Sequence, residues 1–311
     1  MAIVTVVGGA NIDIQGFPAT RLLPFDSNPG TIRASSGGVG RNIAENLARL
    51  GQSVRFVSVF GDDDTGRRLL EELREVGVDT SHCEVVSGRS SSTYLCILDH
   101  GGNLHAAVAD MGLLEELRPA VIQRHAAALN GIDLCVIDSN LGTASIRRAV
   151  ELCGVTPCLL DTVSAAKASR ARGAAGLFYA VKPNRAELEV LTGIHIDSDA
   201  DIDQAAQVLQ AAGTTLVFVS LGARGLYFSD GGRRGIAELP GARPVNVSGA
   251  GDAMTAALAL GIAEKLPVDE AAALAVAAAG MTAESESTVD KLMDLSRLRE
   301  RARVAVIHDR S

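Results

Sequence analysis

Residues 246–257, NVSGAGDAMTAA, place a carboxylate directly behind a loop with almost no side chains. Gly249, Ala250 and Gly251 lead into Asp252, and an alanine-rich helical pattern follows. Glycines let a backbone approach a ligand closely, and the N–H groups at a helix start form an anion site. The stretch predicts a phosphoryl-transfer site in which these small residues form an anion hole and Asp252 is the general base. We expect the helix dipole to favour the charged carboxylate.

A simple helix cap after a glycine-rich turn would be the better explanation of this stretch if it stood alone. A second turn of the same design, SSGGVGRNIAENLARLG, occupies residues 35–51 near the other end of the chain. Its glycines, Gly38 among them, allow close backbone approach, and Asn42 opens a helical pattern. An asparagine both donates and accepts hydrogen bonds, which suits a vicinal diol. The two turns together favour a ligand site over two unrelated caps.

A third polar segment, GGANID at residues 8–13, follows the first apolar run and supplies Asn11 and Asp13. Ligands in open α/β sheets bind beyond the carboxyl ends of the strands, where these side chains fall. Asp13 can accept hydrogen bonds from two hydroxyl groups at once. Neither glycine-rich turn is a GxGxxG after a first strand, and the sequence contains no GxxxxGK[ST]. A dinucleotide oxidoreductase and a P-loop kinase are therefore poorly supported.

The elements that position these residues alternate between short apolar runs and amphipathic helical patterns. Residues 2–7 and 54–61 each read as one strand, and helical spacing follows at 40–50 and 64–77. This alternation continues along the chain and predicts an α/β fold with a mainly parallel sheet covered by helices on both faces. Two segments interrupt it: residues 12–36 lack a helical pattern, and residues 88–110 resemble a hairpin that turns at Gly101-Gly102.

We interpret the two interrupting segments as a small β-sheet lid. The predicted division assigns residues 1–11, 36–87 and 111–311 to the main nucleotide-binding and catalytic domain, and residues 12–35 and 88–110 to the lid. A lid of this kind shields a reacting substrate from water. Two ordinary surface excursions are the alternative.

Composition limits the classes of partner. The 311 residues carry a net charge of −8, which argues against nucleic acid or an anionic membrane as a partner. The N-terminus has no basic region followed by a long apolar run, so we expect no signal peptide and a cytoplasmic location. The five cysteines form no CxxC pair, and although Cys153 and Cys158 are separated by only four residues, we expect no metal set from them.

Four segments together carry a family resemblance. These are GGVGRNIAENLARLG near the N-terminus, KPNRAEL at 182–188, SLGARG at 220–225 and SGAGDA at 248–253. In order and separation they resemble the ribokinase-like (PfkB) carbohydrate and nucleoside kinases over essentially the whole chain. The resemblance implies a ribokinase-like fold with a small β-sheet lid, ATP and Mg²⁺ as cosubstrate and cofactor, and a homodimer formed through the lid.

The same resemblance implies roles for individual residues. Asp252 is the base and Gly249, Ala250 and Gly251 form the anion hole. The sugar is held by Asn11, Asp13, Gly38 and Asn42, with Asn140 as a further sugar contact. ATP contacts Asn184, Ser220, Gly222 and Gly225, while Glu187 and Asn184 act at Mg²⁺, Glu187 through water. Many family members carry Asp at the position of Asn246, and a neutral amide is a weaker cation ligand, so potassium receives less support than magnesium.

Within the family, the segments GGANIDI, DSNPG, DMGLLEEL, DTVSAAK and TAESESTV resemble the pseudouridine kinases. Relatives commonly read DPVS where this chain has Asp161-Thr162-Val163-Ser164, which removes a proline but no polar group. This narrower resemblance implies phosphorylation of the 5′-hydroxyl of pseudouridine, with Ser27, Asn28 and Lys167 as candidates to read the base. A ribokinase-like kinase of another sugar or nucleoside and a nucleoside-binding sensor without catalysis are the alternatives.

Overall fold

The computed structural model describes residues 1–310 and contains one large sheet, two smaller sheets and helices on both faces of the large sheet. The strands are β1 (Ile3–Val7), β2 (Asn11–Pro18), β3 (Gly30–Gly37), β4 (Ser53–Val57), β5 (Val59–Gly61), β6 (Glu84–Val86), β7 (Thr93–Leu98), β8 (Leu104–Asp110), β9 (Leu134–Asp138), β10 (Cys158–Asp161), β11 (Ala180–Lys182), β12 (Leu216–Ser220), β13 (Leu226–Ser229), β14 (Arg234–Glu238) and β15 (Val306–Asp309).

The large sheet has nine strands in the order β15-β14-β13-β12-β11-β10-β9-β1-β4. The strands from β4 to β12 in this order pair in parallel, and β13, β14 and β15 add antiparallel pairs at one edge. Its central strands are buried along their whole length, as the continuous apolar runs in the sequence require of a sheet covered on both faces. The parallel α/β sheet predicted from the sequence is confirmed.

The helices form two layers. They are α1 (Val39–Arg49), α2 (Asp64–Glu75), α3 (Pro119–Arg124), α4 (Thr143–Cys153), α5 (Ala165–Ala168), α6 (Arg185–Thr192), α7 (Asp199–Ala211), α8 (Ala250–Ala263), α9 (Val268–Ala283) and α10 (Leu295–Ala302). One apolar core lies under α1, α2, α8, α9 and α10, and the other lies under α3 to α7. Of the helices in residues 1–310, none has the length and apolar character needed to cross a membrane.

A separate four-stranded sheet has the order β3-β2-β7-β8. Strands β7 and β8 form the hairpin predicted for residues 88–110, with its turn between Leu98 and Leu104. Strand β2 joins the two segments, because it pairs antiparallel with β3 and parallel with β7. The two segments that interrupt the strand–helix pattern therefore form one small sheet outside the large one.

The sequence prediction of one strand over residues 54–61 is wrong. The run divides at Ser58 into β4, which pairs with β1 in the large sheet, and β5, which pairs with β6 in a two-stranded sheet. The Ser58 hydroxyl is fully buried and donates to the Gly8 carbonyl at 2.7 Å. This bond satisfies the hydroxyl where the chain leaves the large sheet, and the apolar residues on either side conceal the break in the sequence pattern.

Candidate active site

The N-terminus of α8 begins at Gly249, whose backbone has a φ of +79°. A Cβ at this position would come within 1.8 Å of the Thr288 carbonyl oxygen, so both the conformation and the space require glycine. Among the described residues, no side chain caps this helix. Within residues 1–310 the Ala250 amide donates to the Val247 carbonyl at 3.4 Å, whereas the Gly249 and Gly251 amides have no hydrogen-bond partner. The start of the helix therefore keeps amides for a ligand, as an anion site needs.

Asn42 at the start of α1 and Asp252 in the first turn of α8 are in contact although they are 210 positions apart in the sequence. Asn42 Nδ2 donates to Asp252 Oδ2 at 2.8 Å. The guanidinium of Arg41 donates to Asn42 Oδ1 at 3.1 Å, and Glu45 holds that guanidinium at 2.5 Å. Because its oxygen is occupied by Arg41, the Asn42 amide presents its nitrogen to Asp252. No role for Arg41 was predicted from the sequence, although it directly precedes Asn42.

A buried ion pair lies beside this contact. Lys182 Nζ is 3.0 Å from Asp161 Oδ2 and donates to the Gly251 carbonyl at 3.3 Å. Thr255 Oγ1 donates to the same Asp161 oxygen at 2.6 Å. Lys182 and Asp161 are the last residues of neighbouring parallel strands, β11 and β10. No role was predicted for either residue from the sequence. The pattern that could have indicated both is a charged residue at the end of a buried apolar run.

The expected charge state of Asp252 requires a correction. Burial, followed by the nearby Asp161 carboxylate, raises the pKa of Asp252 from 3.8 to about 7, although the Asn42 hydrogen bond and the Lys182 charge oppose the rise. From the sequence, the helix dipole was expected to favour the charged form of Asp252. The loss of hydration in the cleft outweighs the dipole here, so the carboxylate titrates near neutral pH. A base with a pKa near the working pH is well suited to proton transfer.

Asn11 and Asp13 come together at the start of β2. Asn11 Nδ2 donates to Asp13 Oδ1 at 2.7 Å, and burial raises the pKa of Asp13. A Cβ at Gly37 would lie 2.2 Å from Asp13 Oδ2, so glycine there leaves room for the carboxylate. Gly38 has a φ of +97° and closely approaches the backbone of Ala10, which joins the start of α1 to the start of β2.

Asn140, just beyond β9, is hydrogen-bonded to Lys167 of α5. Lys167 Nζ donates to Asn140 Oδ1, and the Asn140 amide N–H donates to the buried Asp138 carboxylate at 2.8 Å. Asp138 Oδ2 accepts from the Gly9 amide at 2.8 Å, which ties this loop to the end of β1. Burial lowers the pKa of Lys167 and raises that of Asp138. Asp138 was not singled out from the sequence, although it too ends an apolar run.

Asn184 and Glu187 bind each other in a capping box at the start of α6. Asn184 Oδ1 accepts from the Glu187 amide at 2.9 Å, and Glu187 Oε2 accepts from the Asn184 amide at 2.9 Å. Glu187 Oε1 accepts from Asn184 Nδ2 at 2.6 Å, and Thr162 Oγ1 donates to Oε2 at 2.5 Å. A carboxylate has about four acceptor positions, so these three hydrogen bonds leave Glu187 with about one. That position suits a metal-bound water better than direct coordination.

Ser220, Gly222 and Gly225 lie in the loop from the end of β12 to the start of β13. Ser220 forms an isolated bridge with Asn184, and its amide donates to the Pro183 carbonyl at 2.9 Å. Gly225 has a φ of +89°, and a Cβ there would lie 2.0 Å from the Ala237 carbonyl oxygen. The loop therefore lies next to the α6 cap, where the sequence analysis expected ATP contacts.

Ser27 and Asn28 lie in the loop between β2 and β3, where Ser27 is exposed and Asn28 is partly exposed. Asn28 Oδ1 accepts from the Leu23 amide at 2.8 Å, and Nδ2 donates to the carbonyls of Leu23 and Asp26. In this conformation the Asn28 amide stabilises its own loop. Unlike the residues above, these two candidates are not joined to the polar clusters by any hydrogen bond within residues 1–310.

Asp138, Asp161 and Lys182 end the parallel strands β9, β10 and β11, and Lys182 contacts the first turn of α8. These polar clusters therefore lie at the edge of the large sheet where its parallel strands end. This is where α/β sheets bind ligands. An open helix N-terminus, a carboxylate that titrates near neutrality and a buried lysine are the components that phosphoryl transfer requires. The chain belongs to the pfkB family of carbohydrate kinases, whose model matches residues 1–294.

Several proteins within this family are similar to the chain along most of its length. A pseudouridine kinase of Escherichia coli K12 is 33% identical over 286 residues, which cover 92% of this chain and 91% of that protein. The E. coli K12 protein described as the uncharacterized sugar kinase YeiI is 37% identical over 283 residues, covering 91% and 78%. A solved carbohydrate kinase from Agrobacterium tumefaciens superposes with a TM-score of 0.87 at 29% identity, covering 100% of both chains. This chain is therefore a sugar or nucleoside kinase with an alcohol group as acceptor.

Proposed function

We propose that this kinase transfers the γ-phosphoryl group of ATP to the 5′-hydroxyl of pseudouridine, giving pseudouridine 5′-phosphate. The observation that carries the chemistry is the Asn42–Asp252 contact of 2.8 Å at the uncapped N-terminus of α8. The substrate assignment rests on the similarity to the E. coli pseudouridine kinase along nearly the whole length of both proteins.

The proposed mechanism uses the residues around Asp252. Asn42 holds Oδ2, and Oδ1 takes the proton of the attacking hydroxyl. The first-turn amides of Gly249, Ala250 and Gly251 stabilise the negative charge on the transferring phosphoryl group. Lys182 fixes the Gly251 carbonyl and adds a positive charge next to both aspartates. The hydroxyl loses its proton as its oxygen bonds to phosphorus, and ADP leaves as the other phosphorus–oxygen bond breaks.

Magnesium would neutralise charge on the phosphates of bound ATP. The donor set at the start of α6 fits such a hard cation, because Glu187 supplies carboxylate oxygens with one acceptor position left for a metal-bound water. Asn184 is part of the same cap, and Ser220, Gly222 and Gly225 are its neighbours in the proposed ATP site. Potassium is a weaker part of the proposal, because both polar atoms of the Asn246 side chain already have partners. Its Oδ1 accepts from the backbone amide of Ser248, and its Nδ2 donates to the Glu286 carbonyl.

The sugar is held between the two sheets in this proposal. Asn11, Asp13, Gly38, Asn42 and Asn140 contact the ribose, and the four-stranded sheet, with residues 12–35 and 88–110, acts as the lid over the main domain. Lys167 contributes to base recognition from the Asn140 side. Ser27 and Asn28 reach the base only if the β2–β3 loop rearranges when the nucleoside binds, because Asn28 bonds its own loop in this conformation.

A panel of acceptors tests the substrate. With Mg-ATP, ADP release should be fastest with pseudouridine, compared with uridine, adenosine, ribose and fructose 6-phosphate. Uridine is the most informative acceptor, because it lacks the N1–H that pseudouridine presents. A site that hydrogen-bonds a substrate N–H rejects the analogue lacking it by up to about 10⁴-fold.

The panel also separates the alternatives. A preference for ribose or another sugar would retain the kinase and discard pseudouridine, a result that the 37% identity to a sugar kinase makes the second candidate. Saturable nucleoside binding without ADP release from any acceptor would favour a sensor without catalysis. Product analysis by mass and by phosphorus NMR would show whether the 5′-oxygen carries the phosphate.

The lid also supports a proposed homodimer. Residues alternate between the two faces of a strand, so the register places Ile32, Leu95, Ile97 and Val108 on the face opposite Asp13. This face is apolar and uncovered, with Ile32 77% and Val108 66% exposed. Exposed apolar patches commonly mark protein interfaces. A second copy of this sheet presents the same apolar surface, which is what a two-fold symmetric interface needs.

Val108→Asp is expected to convert a dimer into a monomer, because it places a charge on the apolar face that forms the proposed interface. Light scattering at micromolar protein measures the change as a halving of the mass. Val208→Asp on α7, where the residue is 43% exposed, is the matched control and should leave the mass unchanged. A monomeric wild type, or a Val108→Asp variant that remains dimeric, would contradict the interface.

A further inference from the structure

Three cysteines from three different elements come together on the face of the large sheet that is covered by α4. Cys135 lies in β9, Cys153 ends α4 and Cys158 begins β10, and their sulfur atoms all lie within 4.8 Å of one another. Pairing of the parallel strands places Cys135 directly beside Cys158. The packing of α4 against β9 then adds Cys153. All three are at most 5% exposed. The sequence spacing gave no sign that Cys135 would join Cys153 and Cys158, because strand pairing brings it there.

The spacing fits a metal ion with three thiolate ligands. Three sulfurs placed about 2.3 Å from a central ion are about 4 Å apart, which is within the observed limit. An all-sulfur set selects soft, thiophilic ions. Structural zinc is almost always four-coordinate, and within residues 1–310 no fourth histidine, cysteine or carboxylate belongs to this group. Copper(I) is the soft ion that three sulfur ligands suit best.

We propose that Cys135, Cys153 and Cys158 form a binding site for a soft, thiophilic metal ion, with copper(I) as the best fit. The site lies toward the amino ends of β9 and β10, whereas the kinase cluster follows their carboxyl ends. Cys158 precedes Asp161 by three residues, which corresponds to about 10 Å along a strand. The proposal is therefore independent of the substrate of the kinase.

A surface cavity gives a metal ion a route to the cluster. A surface cavity of about 740 Å³ has Cys158 in its wall, together with Pro157, Phe178 and Tyr179. Metal ions bind thiolates rather than thiols, so binding releases protons.

Titration of the reduced full-length protein with copper(I) tests the site, with a chromophoric copper(I) chelator as competitor. We expect one ion per chain, thiolate-to-copper absorption in the near ultraviolet and a rise in the melting temperature, because the ion binds only the folded site. Cys135→Ala and Cys153→Ala should each abolish the high-affinity uptake. Cys83→Ala is the matched control, since Cys83 is a free cysteine outside the cluster, and it should bind like the wild type.

Two variants are used so that a folding defect in one of them does not decide the test. Cys153 ends a helix, whereas Cys135 lies inside a central strand. Circular dichroism of each metal-free variant confirms its fold before titration. Wild-type protein that takes no copper from the competitor would overturn the proposal. Equal uptake by the wild type and by the folded Cys135→Ala and Cys153→Ala variants would also overturn it.

Discussion

Asp252→Asn is expected to lower kcat by roughly two orders of magnitude or more, because general-base catalysis typically contributes about 10²–10⁴-fold. The asparagine has nearly the same shape and keeps an oxygen that accepts from Asn42, so the contact between α1 and α8 is preserved. ATP and nucleoside should therefore bind with affinities close to those of the wild type. Steady-state kinetics together with calorimetric binding separate the two effects.

The pKa of Asp252 adds a pH signature to this prediction. Only the ionised carboxylate can take a proton, so wild-type kcat/KM should rise with pH up to about 7 and then level off. Because the pKa is raised on folding, the folded state binds the proton more tightly than the unfolded state. Stability therefore falls as pH rises from about 3.8 to about 7, and the whole loss is present above that range. Asp252→Asn removes this loss, so its melting temperature should gain on the wild type as pH rises.

Asp64→Asn is the control for both measurements, because the Asp64 side chain is 99% exposed at the start of α2. It should leave kcat and the pH dependence of melting unchanged. Near-normal turnover by Asp252→Asn would remove Asp252 from the base role. A wild-type rate that is flat between pH 5 and 8 would contradict the raised pKa as the controlling ionisation.

The fold was largely predictable because local patterns carry it. Buried parallel strands read as apolar runs, and amphipathic helices repeat at 3.6 residues, so the order of elements follows directly from the sequence. The break at Ser58 could not be read in the same way. Both flanking segments are apolar, and the hydroxyl that marks the break is satisfied by Gly8, a residue 50 positions away. Such a contact exists only after the strands have paired.

The candidate site was predictable where glycines mark it. Gly38 and Gly249 have positive φ angles that other residues rarely adopt, so their turns are visible in the sequence. Lys182, Asp161 and Arg41 carry no comparable mark, because a single charged residue at a strand end or in a helix has many ordinary explanations. Their roles depend on contacts between elements, and the sequence does not show which elements lie next to one another in the fold.

The charge of Asp252 shows why local reasoning also gave the wrong direction. A helix dipole contributes about 0.3–1 kcal/mol in favour of the charged form. A rise from 3.8 to about 7 corresponds to roughly 4 kcal/mol in the other direction, before solvent screening of this partly exposed carboxylate reduces it. The larger effect comes from burial and from Asp161, which lies 91 positions away in the sequence. The pKa of Asp252 is raised because the effect of burial is larger than that of the helix dipole. The size of the burial effect depends on tertiary structure.

Lys182→Met is expected to have the largest effect on stability. Lys182 and Asp161 are 6% and 2% exposed, so removing the lysine leaves a buried carboxylate without its counter-charge. Breaking a buried ion pair in this way costs about 3–5 kcal/mol of unfolding free energy. Turnover should also fall, because the Gly251 carbonyl loses its Lys182 contact and Asp252 loses a neighbouring positive charge. Urea unfolding and steady-state kinetics measure the two losses, and Lys291→Met, at an exposed lysine, is the matched control.

The double variant Lys182→Met/Asp161→Asn separates the structural role of the lysine from its role in the reaction. Asparagine still accepts from the Val163 amide, which is 2.9 Å from Asp161 Oδ1, and the Thr255 hydroxyl can accept from its amide nitrogen. No buried charge is then left unpaired, so much of the lost stability should return. Turnover should stay low, since no cation is restored beside the anion hole. Recovery of turnover together with stability would mean that Lys182 supports only the fold, whereas a fully stable Lys182→Met single variant would contradict the buried pair itself.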